Sequence, residues 1–185
     1  MEINLPIEFK NRMKNMLGEE YEDFLKAYEE ANFQGLRINA LKTKAGEEGK
    51  ATLDFLKEAF ELRQVPWCKT GFYYNPEKKP GREAFHHAGA YYIQEPSAML
   101  VGELAAPQEK MKVLDLCGAP GGKTGHLAGL MKDSGVLVAN EIVPNRCKIL
   151  SQNVERMGIK NCIVINENPV NLAKKLPSYF DMVVV

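Results

Sequence analysis

From about residue 110 the chain alternates strand and helix, and no other feature of the sequence limits its fold as tightly. Residues 112–117, 136–140, 162–166 and 180–185 are short apolar runs rich in Val, Leu and Ile. Between them, 122–132, 144–157 and 169–176 carry apolar residues at helical spacing. Strands joined by helices lie parallel, with right-handed crossovers, so the rhythm predicts an α/β fold built on a doubly wound, Rossmann-like parallel sheet. The last run, Phe180-Asp-Met-Val-Val-Val185, reads as a strand buried on both faces, and such strands are ordinarily followed by more structure. The sheet is therefore expected to be truncated after its fourth strand, and the chain to be the N-terminal part of something longer.

The first 80 residues follow a different pattern. Pro6 opens a helix in which Phe9, Met13, Met16 and Leu17 recur at helical spacing up to Gly18. A second helix follows from about residue 19, with Tyr21, Phe24, Leu25 and Tyr28 on one stripe and acidic residues crowding its first turn. Residues 35–41, GLRINAL, alternate apolar and polar as a half-buried strand does, and a Lys/Gly/Glu loop follows at 42–50. Residues 52–61 return to helical period, and 65–67 and 72–74 look like short strands. A small α+β domain is expected over 1–80, ending in the Pro/Lys/Gly loop 75–81, ahead of a second domain over 81–185.

Composition narrows the functional classes. At 45% hydrophobic residues the chain can bury a substantial core, yet it has neither an apolar run of about 18 residues nor a basic-flanked apolar block at its start. A cytoplasmic protein with no membrane partner is expected. The four cysteines, Cys68, Cys117, Cys147 and Cys162, show no C-x-x-C pairing and read as reduced thiols, and His86-His87 lacks partners at ligand spacing, so no metal is expected. Net charge is zero, but residues 1–35 carry −4, residues 36–82 carry +4, and 83–185 balance. A basic middle segment is either a solvated surface or a path for nucleic-acid phosphates.

Residues 113–124, VLDLCGAPGGKT, run from a strand into a glycine-rich turn. A triphosphate loop, G-x-x-x-x-G-K-[ST], needs glycine at 117, where Cys117 stands, and Gly118, Gly121 and Gly122 do not fit the dinucleotide spacing G-x-G-x-x-G either. What remains is a strand ending in Asp115, a tight small-residue turn, and Glu141 at the end of the next strand. Neighbouring strand ends lie side by side in such a sheet, so Glu141 is placed to accept from two ribose hydroxyls of a nucleoside at the turn. The turn itself suits close backbone approach to an amino-acid tail and sulfonium, as in S-adenosyl-L-methionine. A plain surface acid and an ordinary helix start are the bland alternatives.

Three segments carry a resemblance: 89–99 (GAYYIQEPSAM), 114–124 (LDLCGAPGGKT) and 139–146 (ANEIVPNR). They resemble the successive motifs of the Fmu/Sun family of RNA cytosine-5 methyltransferases, and 36–41 resembles that family's N-terminal domain. Gly118 stands where most members have alanine. The resemblance implies that Cys117, Gly118, Ala119, Pro120, Gly121, Gly122 and Lys123 hold the methionine part of S-adenosyl-L-methionine and Glu141 its ribose. Asn168 falls where the family has an aspartate near the adenine. Lys123 and Arg146 are implied as structural or cofactor-side cations. The implied partner is RNA, with rRNA favoured over tRNA, held in part by Arg37, Lys42, Lys44, Lys69, Lys78, Lys79 and Arg82, with Trp67 or Tyr73 available for stacking. The implied chemistry is thiolate addition to cytosine C6 followed by methylation at C5. Its Asp-Ala-Pro-Cys nucleophile is expected beyond Val185, since Cys117 lies in the cofactor turn and Cys147 on the following helix. Two other classes stay open: a methyltransferase of this fold acting on a protein or small molecule, and a non-catalytic nucleotide-binding module.

Overall fold

The computed structural model describes residues 5–29, 33–43 and 47–185. The chain divides into two compact units, Met1–Phe33 and Gln34–Val185. In the first, helices α1 (Ile7–Leu17) and α2 (Tyr21–Ala27) form where the apolar stripes predict them, with Gly18 at φ 54° ending α1 and its N–H returning to Lys14 O. Aromatic rings hold the pair together: Phe24 lies 6.2 Å from Phe9 and 5.2 Å, edge-on, from Tyr28.

The second unit opens with β1 (Gly35–Ile38), α3 (Glu47–Phe60), β2 (Arg63–Gln64), β3 (Gly71–Tyr73), α4 (Ala84–His87), β4 (Tyr91–Ile93) and α5 (Pro96–Ala105). It continues with β5 (Lys112–Asp115), α6 (Gly122–Leu130), β6 (Val136–Asn140), α7 (Pro144–Met157), β7 (Cys162–Ile165), α8 (Pro169–Lys175) and β8 (Met182–Val184). The strands make two sheets, an antiparallel one in the order β2-β3-β1-β4 and a parallel one in the order β7-β6-β5-β8.

The expectation of a fold broken off after a fourth strand is thereby corrected. The described residues hold eight strands, and half of them form an antiparallel sheet that strand signals in the sequence only partly reveal. Those strands are two to four residues long, too short for alternation to register. Val65-Pro-Trp67, expected as a strand, is instead the turn after β2, and β4 lies inside the motif 89–99. The α/β Rossmann-like half, with a small α+β portion before it, stands.

Alternation decides what each sheet face touches. In β5 and β6, Val113, Leu137 and Ala139 pack against Leu127 of α6 and Leu150, Val154 and Met157 of α7. Leu114 and Val138, one residue along, point the opposite way, toward Leu172 of α8. Helices thus cover both faces, as a doubly wound sheet requires. In the antiparallel sheet, Leu36 and Ile38 of β1 pack with Leu56 and Phe60 of α3, Phe72 and Tyr91. Arg37, between them, points to the other face and is buried as well. That second face meets α6, because Arg37 Nη2 donates to Gly122 O at 3.1 Å. Asn39 and Lys42 extend the contact: Asn39 Nδ2 donates to Gly89 O and Met157 O, each at 2.8 Å, and Lys42 Nζ donates to Arg156 O at 2.8 Å. The bonds to Met157 O and Arg156 O satisfy carbonyls at the C-terminal end of α7 that have no partner within the helix.

Candidate functional site

The parallel sheet reverses its strand order beside β5, between β6 on one side and β8 on the other, and ligand crevices of doubly wound sheets open at that point. Asp115 ends β5 there, fully buried. Its Oδ2 accepts from Thr124 Oγ1 at 2.7 Å, while Oδ1 is buried without a hydrogen-bond partner among the described residues and lies 3.9 Å from Lys123 Nζ. Burial raises the Asp115 pKa, against the opposing pull of the Thr124 hydroxyl and Lys123.

The turn between Asp115 and α6 is braced from behind. Gly118 N–H donates to Asn140 O at 2.8 Å, fastening the turn to β6. Arg146 Nη2 donates to Ala119 O at 3.2 Å and Asn153 Nδ2 to Pro120 O at 2.8 Å, so two residues of α7 hold its carbonyls. Gly121 has φ 119°, a conformation that only glycine enters readily, and a Cβ there would come within 3.2 Å of Asn153. Cys117 is exposed in the same turn.

Glu141 sits one residue past β6 and is only 3% exposed. Its Oε1 accepts from Val143 N–H at 2.9 Å, and its Oε2 lies 3.4 Å from Arg146 Nη1. Arg146 therefore bridges Glu141 and the turn. The structure brings together Cys117, Gly118, Ala119, Pro120, Gly121, Gly122, Lys123 and Glu141 across two adjacent strand ends. Asn168 stands after the third strand, exposed, with Oδ1 capping α8 through Val170 N–H at 2.8 Å. Its amide NH₂ is the group left to face a ligand.

The cations expected to contact RNA do not share one fate. Arg37 is corrected: it is 2% exposed, with Nε donating to Gln94 Oε1 at 3.1 Å and Nη2 to Gly122 O. Burial lowers its pKa to about 10, so it stays charged at neutral pH but cannot reach a phosphate. Lys42 is exposed, yet its Nζ is spent on the carbonyls of Ala88 and Arg156. Lys44 lies outside the described residues. Lys69, Lys78, Lys79 and Arg82 are exposed; Lys78 pairs with Glu61 at 2.9 Å, a surface pair that water screens. Trp67 is 40% exposed, with Nε1 donating to Pro96 O at 2.9 Å.

Sequence reasoning missed the part played by Arg37, Asn39 and Gln94. The alternating pattern marks Arg37 as the polar side of a strand and cannot tell water from a second protein layer. Of the cysteines, burial raises the thiols of Cys68, Cys147 and Cys162, the last to about 12, so none of these three is set up as a thiolate.

Residues 5–96 match the model of the N-terminal domain of 16S rRNA methyltransferase RsmF, and residues 103–185 match that of 16S rRNA methyltransferase RsmB/F. The chain belongs to the RsmB/F family. Ribosomal RNA small subunit methyltransferase F of Vibrio parahaemolyticus is 38% identical over 173 residues, covering 89% of this chain and 35% of the relative. Its counterpart in Psychromonas ingrahamii is 32% identical over 190 residues, covering 98% of this chain and 39% of the relative. The chain thus spans well under half the length of these RsmB/F relatives. Among solved structures, a methyltransferase homolog protein from Pyrococcus horikoshii superposes with TM-score 0.79 at 28% identity, covering 97% of this chain and 58% of that one. NSun6 from the same organism superposes with TM-score 0.73 at 19% identity, over 93% of this chain and 67% of its own, a likeness of fold alone. Among the described residues no helix is long and apolar enough to cross a membrane.

Proposed function

We propose that this chain carries the S-adenosyl-L-methionine-binding part of an enzyme that methylates cytosine C5 in RNA, most simply rRNA. The observation that carries the reading is the juxtaposition at two strand ends of a braced glycine turn, a buried Asp115 carboxylate oxygen that faces Lys123 with no hydrogen-bond partner among the described residues, and the buried Glu141. These residues fit a nucleoside with an amino-acid tail better than a triphosphate, because a carboxylate repels phosphate and accepts from hydroxyl and ammonium groups. Cys117 through Lys123 would hold the methionine part. Glu141 would take the ribose hydroxyls, since each carboxylate oxygen has lone-pair capacity beyond its present partner, and Asn168 would meet the base edge. The cofactor supplies an electrophilic methyl group; this chain's residues bind it, orient it and exclude water.

Residues 81–185 are read as the cofactor-binding part and 1–80 as the RNA-facing part, with Lys69, Lys78, Lys79 and Arg82 near phosphates. Membership of the RsmB/F family, whose matching models are described as rRNA methyltransferases, supports rRNA over other substrates. Calorimetric titration of the chain with S-adenosyl-L-methionine, its demethylated product and ATP tests the reading. Binding of the first two without ATP is the expected result; ATP binding alone would overturn it.

A further inference from the structure

We propose that Cys68, Glu103 and His126 form a binding site for one divalent transition-metal ion of the zinc class. Cys68 lies in the turn between β2 and β3, Glu103 on α5, and His126 on α6 four residues after its glycine start. His126 Nε2 is 3.2 Å from Glu103 Oε1 and 3.9 Å from Cys68 Sγ, and no two of the three ligand atoms are more than 4.8 Å apart. Four-coordinate zinc, with bonds of about 2.0–2.3 Å, places neighbouring ligand atoms about 3.3–3.8 Å apart. The His–Glu and His–Cys separations already bracket that range. Among the described residues, no other three Cys, His or carboxylate side chains are grouped as candidate ligands.

The arrangement is wrong for a proton relay. In a Cys–His–carboxylate triad the thiol faces one ring nitrogen and the carboxylate the other. Here both face Nε2, and the Cys68 thiol also hydrogen-bonds the Glu103 carboxylate, so the three groups meet at one point. Three donors converging on one point is what a cation requires.

Charge and burial agree with the geometry. Cys68 and His126 are buried and Glu103 is half-buried, which leaves one side open for a water as fourth ligand. On binding, Cys68 Sγ–H loses its proton to solvent as the sulfur–metal bond forms. His126 gives the Nε2 lone pair, with its proton on Nδ1, which is buried without a hydrogen-bond partner among the described residues, and Glu103 gives a carboxylate oxygen. Thiolate, carboxylate and a divalent ion sum to zero, so the loaded site adds no net charge beside the buried Arg37. The ion would tie the antiparallel-sheet region to the helix that follows the cofactor turn.

Cobalt(II) is the probe. The chain is freed of metal with a chelator, kept reduced, and titrated with Co²⁺ while absorbance is followed in the near ultraviolet and visible; zinc is then added in competition. One cobalt per chain, with a thiolate-to-cobalt charge-transfer band displaced by zinc, is expected. Cys68→Ser should abolish that band and Cys147→Ser should keep it. Glu103→Gln, at a half-exposed position that leaves the fold intact, should weaken cobalt binding at least tenfold. Zinc should raise the melting temperature of the wild-type chain and not of Cys68→Ser. A folded wild-type chain without the band, or a band that survives Cys68→Ser, would overturn the proposal and leave the hydrogen bonds joining Cys68, Glu103 and His126 as the whole of the cluster.

Discussion

Arg37→Met separates an anchoring role from an RNA-contacting one. The substitution keeps much of the side-chain volume and removes the donors that reach Gln94 Oε1 and Gly122 O. Each buried acceptor left unsatisfied costs about 1–3 kcal/mol, and relief of a buried charge offsets part of the sum. A net loss of about 2–4 kcal/mol follows. For a chain of this size each kcal/mol corresponds to about 2–4 °C, so the melting temperature should fall by about 4–16 °C. Thermal melts by circular dichroism give that number, and filter binding of single-stranded RNA across a salt series gives the complementary one. Because Arg37 is buried, the slope of log affinity against log salt, measured below the melting transition, should not change. Removing a true phosphate contact would flatten it by about 0.7. An unchanged melting temperature with a flatter slope would refute the anchoring role and restore Arg37 to the RNA surface.

Three further outcomes follow from the same structure. Reversing Lys78 and Lys79 to Glu should flatten the salt slope by about 1.4 or more and leave S-adenosyl-L-methionine affinity unchanged; a slope near zero already in the wild-type chain would mean a merely solvated surface. The raised pKa of Asp115 means the folded state holds that proton more tightly than the unfolded one, so its contribution is fully present below the ordinary carboxylate range and lost as pH rises through the folded value. Chemical denaturation over a pH series should therefore show Asp115→Asn gaining on the wild type as pH rises, and a constant difference would contradict it. Gly121→Ala should lower stability by about 1 kcal/mol or more, read by denaturant midpoint, because its φ of 119° and the nearby Asn153 leave a Cβ no easy place.

The parallel half was legible because its strands are separated by helices long enough to show their period; β5, β6 and α7 fall within a few residues of their expected bounds. The cofactor turn was legible for a related reason, since failed phosphate spacing plus an acidic residue at the next strand end is a local pattern. What stayed hidden depends on contacts between layers. Arg37 and Asn39 read as the wet side of a strand, and only the second layer, at Gly122 and Met157, makes them structural. Cys68 and His126, 58 residues apart, meet only once β3 and α6 are packed, so no spacing rule finds them. The division of the antiparallel sheet was blurred because β4 sits inside a motif whose specific residues drew the reading toward the cofactor domain.

Whether two strand ends and one turn make a nucleoside site is tested most directly at Glu141. Affinity for S-adenosyl-L-homocysteine is measured by calorimetry for the wild-type chain, Glu141→Ala and Glu155→Ala, the last an exposed acid on α7. Losing a carboxylate that accepts from ribose hydroxyls costs about 1.5–3 kcal/mol per charge-assisted bond, hence at least about tenfold in affinity. The account predicts that loss for Glu141→Ala and wild-type binding for Glu155→Ala; equal affinities in all three proteins would contradict it.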